Sequence, residues 1–169
     1  LATLAGMIAS LAAPAVVAQA QDYPTRPVRM VVPFGPGTTT DIISRVVAEG
    51  LGKALGQTMV VENRSGAGGR IGSDLVAKAT PDGYSLVMGT VGTHAINTAL
   101  YRRLPYDAQK DFVPIAFAGY TPTLLVVSGN SELRSLRDLA AQAARPGGIS
   151  FASAGNGTSG HLAGELLKS

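Results

Sequence analysis

Short β-branched runs alternate with amphipathic helical patterns along most of this chain, and this alternation constrains the fold more than any other feature. In residues 41–55 the apolar positions recur three and four apart, while Arg45, Glu49 and Lys53 fall on the opposite face. An order of strand, helix, strand, helix and strand is typical of a parallel sheet that is covered by helices on both faces. The sequence therefore predicts an α/β fold.

Turns that contain Gly and Pro separate the predicted elements. We predict strands at 26–34, 58–64, 84–90 and 149–154, with a further strand pair within 111–128. We predict helices at 41–55, 68–80 and 136–144, the last beginning at a capping-box-like pair, Ser135 and Asp138. The apolar stripe of a final helix is still in progress at the last residue, from which we expect the fold to continue beyond this sequence.

Residues 1–20 carry no charge and are mostly apolar. The stretch is long enough to span a bilayer, but it contains Pro14 and ends in Ala18-Gln19-Ala20, a small-x-small pattern that signal peptidase cleaves. We interpret it as a secretory signal peptide, incomplete at its start and cleaved after Ala20. Because the chain has no cysteine, disulfides and a lipid-modified cysteine are excluded, and we expect the mature protein to be free and soluble outside the cytoplasm.

Composition narrows the range of functions. Hydrophobic residues make up 46% of the chain and charged residues 15%, which is typical of a globular protein. The net charge is +3, but the cations are scattered and Arg102-Arg103 is the densest cluster, so no nucleic-acid footprint is present. A structural or adhesive module is disfavoured, because we find neither a repeat nor an exposed apolar stripe in the pattern.

Two loops rich in Gly, Ser and Thr, residues 33–40 and 153–160, lie where a predicted strand gives way to a predicted helix. Helix N-termini at the carboxyl edge of a parallel sheet offer unpaired N–H groups to anions. Glycine lets a ligand approach the backbone, and the hydroxyls either cap the helix or bind the anion. Each loop alone is also compatible with an ordinary capping turn, so both interpretations remain open at this point.

Two sequence motifs of known enzymes are matched only in part by this chain. Gly155, Gly157 and Gly160 match a dinucleotide fingerprint, but its acidic ribose partner would lie past the last residue, and secreted proteins rarely handle NAD. A nucleophile elbow would need glycine where His161 stands. His94 and His161 are the only histidines and form no recognisable metal set. We therefore predict no cofactor, no metal and no catalytic residues, and keep a secreted α/β enzyme acting on an anionic small molecule as the alternative.

Four successive blocks of the chain carry a resemblance to a known family. They read YPTRPVRMVVPFGPGTTTD, VVENRSGAGGRIGSDLVAKATPDGYSLVMGTVGTHAIN, LYRRLPYDAQKDFVPIA and SAGNGTSGHLAGELLKS. In this order they resemble the Bug family, the periplasmic substrate-binding receptors of tripartite tricarboxylate transporters. The resemblance covers nearly all of residues 23–169.

The resemblance implies a two-lobed, flytrap-like periplasmic-binding-protein fold (type II), with the first lobe at 22–118 and the beginning of the second at 119–169. It implies a monomer that closes on a small carboxylate, held by backbone amides and bridging waters, and delivers it to membrane permease subunits. Carried onto this sequence, the ligand-binding residues are Pro36, Gly37, Thr38, Thr39 and Asp41 in the first loop, Thr90 in the cleft floor, and Ser153, Gly155, Asn156, Gly157, Thr158, Ser159 and His161 in the second loop.

The first loop departs from the pattern of the family it resembles at Gly35, where the family usually carries proline, and at Thr38. The first loop usually carries a second glycine where Thr38 stands here. If that position required a positive φ, Thr38 would be strained by about 1 to 3 kcal/mol. We therefore expect a reshaped first loop if the backbone has that conformation.

Overall fold

The computed structural model describes residues 23–168. The predicted signal peptide, residues 1–20, lies outside the described residues. Within the described part of the chain, no helix is long and apolar enough to cross a membrane.

A three-stranded parallel sheet forms the centre of the fold. Its strands are β1, Val28–Val32, β2, Met59–Asn63, and β3, Ser85–Val87, in the spatial order β2-β1-β3. The register pairs Val28 with Met59 and Arg29 with Ser85. The middle strand β1 is almost wholly buried, as expected for a β-branched strand with a neighbour on each side and a helix on each face.

Two helices connect the strands. Helix α1, Thr39–Leu55, links β1 to β2 and ends at Gly56, whose left-handed φ of 66° closes the helix. Helix α2, Arg70–Ala77, links β2 to β3 and is preceded by a 3-10 turn, Ala67–Gly69. The connection from β1 to β2 runs toward one edge of the sheet, and the connection from β2 to β3 runs toward the other edge. Because such connections are right-handed, they place α1 and α2 on opposite faces of the sheet. The predicted α/β fold with a parallel sheet is confirmed.

After β3, the regular secondary structure of the described residues is helical. A π-helical turn, Gly92–Ile96, continues into a short helix α3, Asn97–Leu100, neither of which we predicted. Helix α4, Leu136–Ala143, begins as predicted at Ser135, whose hydroxyl accepts a hydrogen bond from the Asp138 N–H group at 3.2 Å. Helix α5, Ser159–Leu166, is the final predicted helix.

The strands predicted within 111–128 and at 149–154 are wrong for this structure, because these segments have no regular secondary structure. A strand is stabilised by backbone hydrogen bonds to a neighbouring strand, and neither segment pairs with β2 or β3, the edges of the described sheet. Their apolar side chains are exposed: Val113 is 88% accessible and Phe117 81%. The expectation that no apolar stripe is exposed is therefore also wrong for the described residues.

Candidate ligand-binding site

The carboxyl ends of the three strands lie at one edge of the sheet and bring three loops together there. The loop after β1 contains residues 33–38, the loop after β2 residues 64–69, and the loop after β3 residues 88–91. Because β1 connects outward to β2 and the chain then returns past β1 to β3, the strand order reverses between β1 and β3. A crevice at such a switch point is where open α/β sheets bind ligands.

The first loop ends in a well-formed helix cap. Thr38 is the N-cap residue of α1, and its hydroxyl accepts a hydrogen bond from the Asp41 N–H group and donates to the Gly35 carbonyl at 2.8 Å. Its φ is −71°, while the positive φ of 79° falls on Gly37. Thr38 is therefore unstrained, and the condition under which we expected a reshaped loop is not met.

The Asp41 side chain holds the first loop in place through hydrogen bonds and an ion pair. The buried carboxylate accepts hydrogen bonds from the Gly37 N–H group and from the Asn63 side chain, each at 2.9 Å, and pairs with Arg45 at 3.0 Å. The hydrogen bond from Arg45, followed by those from Gly37 and Asn63, lowers the pKa of Asp41 to about 2. Both oxygens are thus engaged by Gly37 of the loop, Arg45 of α1 and Asn63 of β2, and these contacts fix the direction of the Gly37 backbone.

The second loop repeats this geometry. Thr158 is the N-cap of α5 with φ −88°, accepts a hydrogen bond from the His161 N–H group, and donates to the Gly155 carbonyl at 2.7 Å. Gly157 has a φ of 83°, and its N–H group donates to His161 Nδ1 at 3.4 Å. His161 therefore occupies the place that Asp41 has in the first loop.

The sequence contains a signal for this repeat. Residues 35–41 read GPGTTTD and residues 155–161 read GNGTSGH, so both fit the pattern G-x-G-T-x-x-D/H. The interpretation that nothing in the chain repeats missed it, because the repeat is only seven residues long and lacks hydrophobic periodicity. Its physical basis is a glycine with positive φ followed by a capping threonine.

Both caps leave first-turn N–H groups available. Within residues 23–168, the N–H groups of Thr39 and Thr40 have no hydrogen-bond partner, nor have those of Ser159 and Gly160. These are the donors that the start of any helix leaves unpaired, and the partial positive charge of the helix end favours an anion beside them.

The second loop packs against the loops after β2 and β3. A Cβ atom at Gly68 would lie 2.3 Å from the Asn156 carbonyl oxygen, and one at Gly92 would lie 2.9 Å from the Gly157 carbonyl oxygen. Such distances leave no room for a side chain, so glycine is required for this close approach. Asn156 and Gly157 of the predicted second loop are thus held directly against the first part of the chain.

Asn97 lies at the centre of this contact, and sequence reasoning missed it. Its fully buried side chain donates from Nδ2 to the Gly68 carbonyl at 3.1 Å. Its Oδ1 atom has no hydrogen-bond partner among the described residues and would lie 2.3 Å from a Cβ atom at Gly157. No sequence motif marks this asparagine, since its role depends on three segments that meet only in the folded chain.

Thr90 and His94 belong to the loop after β3. The Thr90 N–H group donates to Thr93 Oγ1 at 2.9 Å, and the Thr90 carbonyl accepts from the His94 N–H group at 2.9 Å. The His94 ring packs edge-on against Phe112 with a centroid distance of 4.7 Å, and burial lowers its pKa. Thr90 therefore lies at the carboxyl edge of the sheet, whereas the His94 ring is part of an aromatic cluster.

The remaining predicted site residues lie at the surface of the two loops. Pro36, Gly37, Thr39, Ser153 and Ser159 are exposed. In residues 23–168, no group of three or more His, Cys, Asp or Glu side chains is placed to hold a metal ion. The polar groups that these exposed residues offer are backbone N–H groups and hydroxyls.

Residues 43–169 match the family described as the tripartite tricarboxylate transporter family receptor. The chain belongs to this family. It is 43% identical over 162 residues to Protein BugT of Bordetella pertussis, with 95% of this chain and 49% of BugT covered. The chain thus spans about half the length of the curated relatives it matches.

Solved structures agree with this assignment. Rpa4515 of R. palustris, determined with adipate, is 40% identical with a TM-score of 0.82 over 87% of this chain and 50% of that protein. The periplasmic binding protein BugD is 47% identical with a TM-score of 0.53, covering 55% of this chain and 31% of that protein. The fold class is that of the family's periplasmic binding proteins.

Proposed function

We propose that this protein is an extracytoplasmic solute-binding receptor. It captures a small carboxylate, such as a di- or tricarboxylate or a related organic acid, and delivers it to the membrane permease subunits of a tripartite tricarboxylate transporter. Membership of the receptor family supports this role, and the adipate held by Rpa4515 supports the ligand class. The signal-like residues 1–20 favour export to the periplasm, with cleavage after Ala20.

The observation that carries the proposal is the pair of matching helix caps. Each cap leaves two first-turn N–H groups without a hydrogen-bond partner among the described residues, those of Thr39 and Thr40 in the first loop and those of Ser159 and Gly160 in the second. Neutral N–H donors at a helix N-terminus bind a carboxylate without a buried cation. Two such ends that close on one ligand account for high affinity, and the permease then recognises the closed form.

The predicted site residues have distinct roles in this proposal. Pro36, Gly37, Thr38 and Thr39 form one side of the clamp, and Ser153, Gly155, Asn156, Gly157, Thr158 and Ser159 form the other. Thr90 lines the floor of the cleft between these two loops. Asp41 and His161 act by orienting the glycine before each cap, because each accepts a hydrogen bond from that glycine. The lobes extend over residues 22–118 and from 119 onward, and the receptor acts as a monomer without cofactor.

Calorimetric titration tests the proposal. The complete encoded polypeptide, expressed from Gln21, is titrated with mono-, di- and tricarboxylates, and each mixture is analysed for new products. We expect dissociation constants of about micromolar or tighter for one ligand class, which corresponds to roughly 8 kcal/mol, and unchanged ligand after incubation. Chemical conversion of the ligand would instead establish the alternative, a secreted α/β enzyme.

A further inference from the structure

Three arginines follow the carboxyl ends of β1 and β2, and one of them differs from the others. Arg45 pairs with Asp41, and Arg64 pairs with Glu62. Arg70, the first residue of α2, has no carboxylate partner in the described part of the chain. Of these three arginines, Arg70 is therefore the one whose charge no carboxylate of the described residues neutralises.

Two contacts hold the Arg70 side chain in a defined orientation. Its Cζ atom lies 3.8 Å from the centroid of the Tyr101 ring, and its Nε atom donates to the Ala67 carbonyl at 3.0 Å. Ala67 has a φ of 48°, the left-handed conformation that is unfavourable for a residue with a side chain. The turn before α2 is thus held in a strained form that directs its carbonyl group to Arg70.

The stacked guanidinium leaves its outer edge available. The two terminal nitrogens of Arg70 have no hydrogen-bond partner within residues 23–168. A planar guanidinium fixed in this way presents two parallel N–H donors, the geometry that binds a carboxylate with two hydrogen bonds. Because the side chain is already ordered and half-buried, little conformational entropy is lost when it binds.

Arg70 and Tyr101 lie beside the place where the second loop meets the first part of the chain. Gly68, two residues before Arg70, contacts Asn156 of the second loop. Leu100, adjacent to Tyr101, lies 3.4 Å from the position of a Cβ atom at Gly157. The stack of Arg70 on Tyr101 therefore joins the two segments that contact one side of the proposed clamp.

We propose that Arg70 determines ligand specificity by binding the second carboxylate of a dicarboxylate whose first carboxylate is held by the two capped loops. This inference rests on the proposed receptor function and names its substrate class. The caps contribute only partial charges and accept any single carboxylate, whereas an unneutralised guanidinium favours a ligand with a further negative group.

Matched ligand pairs test this inference. Succinate and butyrate share a chain length, as do adipate and hexanoate, and within each pair only the distal carboxylate differs. The complete encoded polypeptide and its Arg70→Gln, Arg70→Lys and Arg103→Gln variants are titrated with all four ligands. Arg103 is exposed and lies two residues from Tyr101, so Arg103→Gln removes the same charge without touching the stack.

We expect Arg70→Gln to weaken dicarboxylate binding by about tenfold or more, as for loss of a charged hydrogen-bond donor, and monocarboxylate binding by less than about twofold. Arg70→Lys should recover part of the loss, and Arg103→Gln should bind like the parent. Equal weakening of both ligands in a pair, or no change in either, would overturn the inference. A parent protein that binds no dicarboxylate but binds another carboxylate of the full panel would also overturn the inference and would leave the receptor function standing. A parent that binds none of the mono-, di- and tricarboxylates of that panel would overturn both.

Discussion

Two neighbouring residues shape the first loop: Gly37 supplies a positive φ, and Thr38 supplies the hydroxyl that caps helix α1. The chain needs one residue with positive φ before the helix, and Gly37 supplies it at 79°. Thr38 then adopts an extended φ of −71° and caps α1. A threonine at this position is therefore compatible with a normal helix start, and the same division recurs at Gly157 and Thr158.

Asp41 makes the stability of the first loop dependent on pH. Its pKa is lowered from 3.8 to about 2 in the folded protein. A carboxyl group with a lowered folded-state pKa stabilises the fold above its unfolded-state pKa and loses that contribution as pH falls through the folded value. We expect Asp41→Asn to reduce the free energy of unfolding at neutral pH, with the difference from the parent shrinking between about pH 4 and pH 2.

Urea denaturation at a series of pH values between 7 and 2 measures this difference. Asp107, Asp138 and Glu165 also have lowered pKa values, so only the difference between variant and parent isolates Asp41. Glu49→Gln is the control, because Glu49 forms an exposed surface pair with Lys53 and should matter little. A difference that stays constant down to pH 2 would contradict the prediction.

At the scale of elements, the capped N-termini of α1 and α5 are equivalent. Removing either hydroxyl leaves an unpaired N–H group, that of Asp41 or of His161, and removes one of the two hydrogen bonds that the carbonyl of the glycine three residues before the cap accepts. We expect Thr38→Ala and Thr158→Ala each to lower the free energy of unfolding by about 1 kcal/mol. Thr38→Ser and Thr158→Ser keep the hydroxyl and should retain most of it, which urea denaturation with fluorescence or circular dichroism checks.

The segments 111–128 and 149–154 show where the prediction of strands from local composition fails. Both have the β-branched and aromatic composition of strands, yet neither is a strand in the folded chain. Helices such as α4 close their hydrogen bonds within their own sequence. Strands depend on a partner, so composition alone does not decide whether they form.

At the scale of the whole molecule, Gly157 joins the second loop to the first part of the chain. A valine there would have to adopt a φ of 83° and would place its Cβ atom 2.3 Å from Asn97 Oδ1. We expect Gly157→Val to displace the second loop and to weaken carboxylate binding by about a hundredfold or more, since the clamp then loses the donors of one side. Calorimetric titration measures the loss.

Gly50→Val serves as the matched control for this change. A Cβ atom at Gly50 would meet no atom within 4 Å, and the residue lies exposed on α1. We expect parental affinity for Gly50→Val, and circular dichroism establishes whether both variants are folded. Unchanged affinity in folded Gly157→Val would remove the second loop from the proposed site.

The sequence by itself determined the features that depend on neighbouring residues along the chain. Periodicity and capping residues predicted β1, β2, β3 and the helices between them, and the two glycine-rich loops were correctly located before helices α1 and α5. Tertiary structure alone decided which loops meet, because the contacts of Asn97 with Gly68 and Gly157 and the stacking of Arg70 on Tyr101 join residues distant in sequence. Such contacts depend on the arrangement of the whole chain, and no local propensity encodes them.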